Sequence, residues 1–415
     1  MTMLTPFRGI NPFTDHLDGL LADVAINVQL PPGLHRIACE RYERVRRYME
    51  REGSPLKDRI LHFYPQGSMA IDATISSRWT EGDYDLDVVA QLDIPANTPP
   101  SIALDLIERA LEGYPARIVR QTRCVTVYFE DMHLDVTPAV RHPGTIERQS
   151  DIFHAKEGEP RSEHFRVPMN AYGFARWYEA NTPVETLFAE AYNQRLYDVY
   201  GLSFKADAEV DEVPEQCHLS IKNVATVALQ LMKRFRDIAY LRATGRIPPS
   251  VMLSCYAGHA AASNLTLSDM LIRQARMLAS DIRRASSSGR LLHVANPVYP
   301  DDVFTDRWPA DLRQQDDFAH RLEALVAGLE AIKAGRHDLE DVGNLLRDWF
   351  GKGVVSSAME RKNQAMGRAV RTGTQGYGKT GLFVPAAPAI LTSVPAAAAS
   401  RVAGTPHTFM GGVPW

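Results

Sequence analysis

Two aspartates in the stretch YDLDVV, Asp85 and Asp87, stand two residues apart, with Leu86 between them and Val88 beyond. On a β-strand residues two apart face the same side, so this spacing presents two carboxylates to one point while the apolar residues face a core. A third carboxylate, Asp135, comes from HLDV in a separate strand-like segment. Three convergent carboxylates repel one another unless a divalent cation sits among them. Hard oxygen ligands suit Mg2+, with Mn2+ as a substitute, and Mg2+ also bridges substrate phosphates. Two such ions about 3.5 to 4 Å apart stabilise both the attacking and the leaving oxygen of an in-line displacement. Asp83 shares the alternation of Asp85, so the metal pair could also be Asp83 and Asp85. The pair Asp85 and Asp87 is preferred because it adjoins Val88 and Val89 at a strand interior.

Two other stretches carry phosphate-binding features. Gly67 and Ser68 form a Gly-Ser pair upstream of the aspartates, in QGSMAIDAT. GTQGYGKT, residues 373 to 380, has P-loop spacing, with Gly373, Gly378, Lys379 and Thr380 in the required places. A working P-loop follows a buried strand and opens a helix, so that backbone N–H groups converge on the phosphates. Here no strand precedes the match, Pro385 and Pro388 follow it, and no chain remains to build a parallel sheet around it. It reads as part of a polar tail.

The elements that must position the acids follow from periodicity. Residues 33–53 read as a long amphipathic helix, with Ile37, Tyr42, Val45 and Tyr48 at helical spacing. RILHFYPQGSMA is a short apolar run closed by Gly67 and Ser68, and DYDLDVVAQLD alternates as a strand. ALDLIERALEGY reads as a helix. ARIVRQ and CVTVYFEDMHLDVTPAV then read as strands, with a turn at Glu130 and Asp131. From about Asn170 the pattern is helical, through NAYGFARWYEA, LSIKNVATVALQLMKRFRDIAYL and PPSVMLSCYAGHAA. FAHRLEALVAGLEAIKAG gathers Phe318, Leu322, Leu325, Val326, Leu329 and Ile332 on one face. A mixed half is thus followed by an all-helical half, an α+β arrangement. From about residue 366 the composition turns to Gly, Thr, Pro and Ala, which is tail composition.

Composition sets outer bounds. The chain has 415 residues, 45% hydrophobic and 23% charged, enough for two domains around a large core. Its four cysteines, Cys39, Cys124, Cys217 and Cys255, lie far apart with no C-x-x-C pair, which argues against a zinc module and a disulfide framework and for a reducing cytoplasm. No stretch has the form of a signal peptide, and no window approaches the ~18 apolar residues of a membrane span. A net charge of -4 provides no global basic field for nucleic acid.

The Gly-Ser pair, the two aspartates and the later Asp135, in that order, resemble the DNA polymerase β-type nucleotidyltransferase superfamily. Within it the long interval from Ser68 to Asp85 resembles the cyclic GMP-AMP synthase-like nucleotidyltransferases, the CD-NTases, which are bacterial antiphage relatives of animal cyclic GMP-AMP synthase and oligoadenylate synthase. The resemblance runs from about residue 25 to 350. It rests on QGSMAIDAT, YDLDVV, HLDVTPAV, NAYGFARWY, LQLMKRFRD, PPSVMLSCYAGHA and NPVYPDDVFTDRW. It implies a bilobed fold: a polymerase β-like core in which a mixed sheet is flanked by helices (1–169, with the N-terminal long helix), an oligoadenylate synthase-like helical lobe (170–365) and a flexible tail (366–415).

It also implies site roles. Gly67 lets the backbone approach the triphosphate, which Ser68 binds, and Lys233 and Ser250 match the lysine and serine that contact the incoming triphosphate. A lysine on an apolar helix face is costly unless paired, and phosphate is a natural partner; a solvated helix edge beside Arg234 and Arg236 is the alternative. Ser250, after Pro248 and Pro249, also reads as an N-cap, and both roles could hold. The implied reaction joins NTPs, ATP among them, with release of pyrophosphate, and repeats to close a cyclic di- or trinucleotide that signals to a downstream effector. In it Asp85 and Asp87 hold two Mg2+ ions, and Asp135 ligates the catalytic ion and helps deprotonate the ribose hydroxyl.

Departures bear on the details. Animal relatives often place an aromatic beside that serine to stack on a base, whereas Val251 follows here, so stacking must come from elsewhere. No zinc-ribbon cysteine cluster interrupts the helical half, which argues against activation by double-stranded DNA. A linear nucleotidyltransferase acting on RNA or protein would share every metal residue, and a silent scaffold would have lost them. The tail end TPHTFMGGVPW offers His407, Phe409, Met410 and Trp415 as contacts for a partner's groove. Some CD-NTases carry a C-terminus that a ubiquitin-transfer-like enzyme joins to a target, but Pro414 and the bulky Trp415 at the carboxylate argue against direct conjugation here.

Overall fold

The computed structural model describes residues 12–13, 15–76, 84–142, 144–145, 148–200, 222–243, 245–371, 375–377 and 383–385. In chain order the first half holds α1 (His16–Val28), α2 (Pro32–Met49), β1 (Ile60–Gln66), α3 (Gly67–Ala70), β2 (Tyr84–Leu92), α4 (Pro100–Ala110), β3 (Arg117–Arg120), β4 (Val125–Tyr128), β5 (Met132–Arg141), β6 (Ser150–His154) and β7 (Phe165–Met169). Then come α5 (Ala171–Asn181), α6 (Thr186–Tyr200), α7 (Val224–Ala239), α8 (Ser250–Ala260), α9 (Leu267–Ser287), a small hairpin of β8 (Ala295–Asn296) and β9 (Tyr299–Val303), α10 (Leu312–Lys333), α11 (Leu339–Phe350) and α12 (Lys352–Arg371). Two short strands, β10 (Gln375–Tyr377) and β11 (Phe383–Pro385), pair antiparallel. Among the described residues no helix is long and apolar enough to cross a membrane.

Residues 1–362 make one compact unit. Its seven-stranded sheet has the order β1-β2-β5-β4-β3, with β6 pairing β5 and β7. All pairings are antiparallel except β2 with β5, which run parallel. One face of the sheet carries Leu86, Val88, Leu134 and Val136, which pack with Tyr42, Val45 and Met49 of α2 and with Ala103 and Ile107 of α4. Burying each large side chain of this kind contributes about 1.5–3 kcal/mol. That cost of exposure makes a one-residue slip of β2 prohibitive, because it would turn every apolar residue outward.

The helical core is built around α7, most of whose residues are buried. Its start is set by Asn223, whose side chain accepts from Thr226 N at 2.8 Å. The expected helix over 33–53 ends at Met49, before the positive-φ Gly53. Helix α1 is absent from the sequence reading. Nearly all of its residues are buried, so no polar face marks its period. Its Leu17, Leu20, Leu21, Val24 and Ile26 sit in the helical core cluster although α1 precedes the sheet in sequence. The second unit, residues 363–415, contains β10 and β11. Of the P-loop match only 375–377 are described; Gly373, Gly378, Lys379 and Thr380 lie outside the described residues, as do Asp83, Cys217 and the tail anchors His407, Phe409, Met410 and Trp415.

Candidate active site

The parallel pairing of β2 with β5 sets Asp85 opposite His133 and Asp87 opposite Asp135. Because Leu86, Val88, Leu134 and Val136 all point into the core, these four polar residues share the other face. The Asp85 carboxylate pairs with Nε2 of His133, and Asp135 Oδ1 accepts from Thr126 Oγ1 of β4 at 2.6 Å. Burial, then the charges of Asp135 and Asp85, push the Asp87 carboxyl up to about 7, against the opposing pull of Lys233 and His133.

The Gly-Ser turn follows β1, whose last residue, Gln66, pairs with Asp87. Gly67 has φ +58°, and a Cβ there would stand 2.8 Å from Asp87 Oδ2. Glycine is required on both counts, backbone and space. The turn is tied down from behind by three successive carbonyls. Lys222 Nζ donates to Asp72 O and also pairs with the Asp72 carboxylate at 2.7 Å. Lys233 Nζ donates to Ala73 O at 2.7 Å, and Gln230 Nε2 donates to Thr74 O at 3.2 Å. Gln230 and Lys233, one helical turn apart on α7, therefore register the turn against the helical half.

Lys233 is 4% exposed, which removes the solvated-edge reading. Burial first, then the charge of Arg236, lower its pKa to about 7 against the pull of Asp237, Asp87 and Asp85. Its neighbour Arg236 donates to Ser250 Oγ at 2.8 Å and to Pro248 O at 3.0 Å, and its other nitrogens bind Asp237 Oδ1. The N-cap reading of Ser250 is corrected: Pro249 holds the cap position, Ser250 is the first residue of α8, and no side chain caps that end. A guanidinium can only donate, so Ser250 accepts from it and keeps its own proton to give elsewhere.

A cavity of about 470 Å3 brings Gly67, Ser68, Asp85, Asp87, Lys233 and Ser250 together; Asp135 stands beside it on β5, opposite Asp87. Val251 and Phe174 also line this cavity. A larger hollow of about 670 Å3, against α4 and Ile118, holds none of these residues. Among the described residues no group of three or more His, Cys, Asp or Glu side chains is gathered closely enough to hold a metal ion unaided. The acids nonetheless fit divalent cations. Asp87 holds its proton into the neutral range through burial first and then the charges of two other carboxylates, and a cation offsets the cost of a buried charge as well as that repulsion. The glycine contact leaves the Asp87 carboxylate open to the turn.

Sequence reasoning missed His133, Thr126, Arg236 and the two ties at Lys222 and Gln230. His133 could have been found two residues before Asp135 on the same strand face, and Arg236 three residues after Lys233 on the helix. Thr126 could have been found by folding the strand back at the turn of Glu130 and Asp131, which sets it opposite Asp135, whereas the ties at Lys222 and Gln230 reach some 150 residues back and left no local signal.

A mixed sheet with paired acids on adjacent parallel strands, a Gly-Ser turn at a strand end and a helical half supplying a lysine and a serine define a polymerase β-like nucleotidyltransferase. The chain belongs to the CD-NTases, and it is a cyclic oligonucleotide synthase that makes a second messenger from NTPs with release of pyrophosphate; the family's role is antiphage signalling and its members use divalent metal ions. Residues 15–158 match the Second Messenger Oligonucleotide or Dinucleotide Synthetase domain. The chain is 52% identical over 407 residues to the cyclic dinucleotide synthase CdnG of Bradyrhizobium diazoefficiens, covering 97% of each chain. The structure of that organism's CdnG in complex with GTP matches with a TM-score of 0.77, covering 85% of this chain and 100% of the other. The CdnC:HORMA-deltaN complex of E. coli MS115-1 matches at 16% identity with a TM-score of 0.53, covering 82% of this chain and 98% of that one, a likeness of fold alone.

Proposed function

We propose that this synthase makes a cyclic dinucleotide with a guanine nucleotide among its substrates, using the acids on β2 and β5 as its catalytic group. The observation that carries the reading is the placing of Asp85 and Asp87 at one cavity with Ser68, Lys233 and Ser250, and of Asp135 directly opposite Asp87. The similarity to a CdnG that binds GTP supports the choice of nucleotide. Asp85, Asp87 and Asp135 would hold two Mg2+ or Mn2+ ions, which when bound stabilise charge on the attacking and leaving oxygens.

The chain's own residues supply the rest. Ser250, with its oxygen satisfied by Arg236, directs its proton to the donor triphosphate, and the Lys233 ammonium has further N–H groups beyond the one given to Ala73 O. Ser68 and the backbone at Gly67 hold the same triphosphate beside Asp87. Asp135 accepts the proton of the attacking ribose hydroxyl. Most of the rate then comes from orientation and from fixed charge, as positioning of two reactants in a water-poor cleft allows.

The division into a core at 1–169, a helical lobe at 170–365 and a tail at 366–415, with the tail as a docking segment for a regulatory protein, belongs to the same reading. Incubation with all four NTPs and Mg2+ or Mn2+, phosphatase treatment and mass spectrometry tests it. A phosphatase-resistant cyclic dinucleotide containing guanine is expected. A linear product open to phosphatase, or a ring without guanine, overturns it.

A further inference from the structure

Strand β4 reaches the catalytic group from the side. It pairs antiparallel with β5 and sets Thr126 opposite Asp135. Thr126 is 2% exposed, and its hydroxyl donates to Asp135 Oδ1 at 2.6 Å. The direction of this bond is fixed, because a carboxylate has no proton to give. A short O–H···O− bond of this kind is among the stronger ones, and the burial of Thr126 shields its donor from bulk water. Without it the carboxyl would be held on this side by the weak Cys124 thiol donor alone, and a terminal torsion at an sp2 carbon has a broad minimum. The Cys124 thiol, two residues earlier, interacts with the same carboxylate and hydroxyl; burial and the Asp135 charge push its pKa up, so it remains a thiol and no charge.

We infer that Thr126 is a positioning residue for nucleotidyl transfer: it binds one oxygen of Asp135 and so leaves the other to face Asp87, where the cation and the ribose hydroxyl would meet. This rests on Asp135 being the third acid of the reaction, as proposed above.

Thr126→Val removes the hydroxyl at nearly constant volume and keeps the β-branching a strand favours. The expected result is a fall in kcat of about tenfold, or ~1.4 kcal/mol, with KM for NTP within about twofold of the parent. Mn2+ affinity of the enzyme with a non-hydrolysable NTP, read by electron paramagnetic resonance, should weaken several-fold, and Thr126→Ser should restore both. If the Val variant does not fold by its thermal transition, Thr126→Ala takes the same measurements. Parental kcat and Mn2+ affinity in the hydroxyl-free variant, or an equal loss in the Ser variant, overturn the inference. Asp135→Asn separates the two claims. Parental activity there overturns the role of Asp135 itself, whereas an inactive Asp135→Asn beside a fully active Thr126→Val overturns only the positioning.

Discussion

Asp87 is the residue at which the structure concentrates cost. Its carboxyl is raised from 3.8 to about 7, so the folded chain holds a proton there that the unfolded chain loses at lower pH. A raised carboxyl favours the folded state fully below its unfolded pKa, and that contribution is lost as pH rises through the folded pKa. The metal-free protein should therefore lose stability between about pH 4 and pH 7 on account of this group. Asp87→Asn should flatten that decline in thermal melts across the pH series; an unchanged decline would place its origin elsewhere. Added Mg2+ should raise the parent's transition, by about 2.7 kcal/mol of linkage at a hundredfold excess over Kd, and raise that of Asp87→Asn far less. Asp85→Ala and Asp87→Ala should each abolish product while leaving the metal-free transition near or above the parent's, because each removes a like charge. Product at the parental rate from the double variant would sink the two-metal reading.

At the scale of elements, the turn after β1 is held between β2 and α7. Gly67→Ala meets both a positive φ and a 2.8 Å approach to Asp87 Oδ2. The backbone penalty is on the order of 1–3 kcal/mol, and relief by moving the turn displaces Ser68 from the cleft. Steady-state kinetics should show a loss of tenfold or more in kcat/KM, since each ~1.4 kcal/mol of lost transition-state binding is tenfold. Full activity in this variant would show that the turn does not approach the phosphates. Lys222 ties the same turn through Asp72, which stands in left-handed backbone with φ 53°. Lys222→Met should raise KM for NTP more than it lowers kcat, because it loosens the turn without touching the acids.

For the whole molecule, the P-loop spacing at 373–380 makes a claim that activity can test directly. Under the proposed binding of the phosphates at Ser68, Lys233 and Ser250, changing Lys379 and Thr380 together to Ala should leave NTP affinity and turnover unchanged. A large loss of NTP binding, measured by calorimetry, would return phosphate binding to that segment. Truncation after Val370 should likewise preserve cyclic-nucleotide synthesis in vitro while reducing antiphage protection in cells. Full protection by the truncated chain would remove the regulatory role proposed for the tail.

What the amino-acid sequence determined by itself was whatever repeats at short range. The alternation in YDLDVV put Asp85 and Asp87 on one face because a strand has a period of two, and Leu86 and Val88 are buried as that period requires. The five-residue apolar seam Phe318, Leu322, Leu325, Val326 and Leu329 is buried along α10 for the same kind of reason, with a helical period. Local pattern was silent where burial is all-round, as in α1, because a helix without a polar face shows no period. It also misled at Ser250, where a serine after two prolines has the look of a cap but its oxygen is taken by Arg236. Only the tertiary structure decided which acid stands opposite which, since that follows from the β2–β5 register. It alone brought Lys222, Gln230 and Lys233 to three neighbouring carbonyls some 150 residues earlier in the chain. Hydrogen bonds over such separations depend on the packing of whole elements, which no short window of sequence contains.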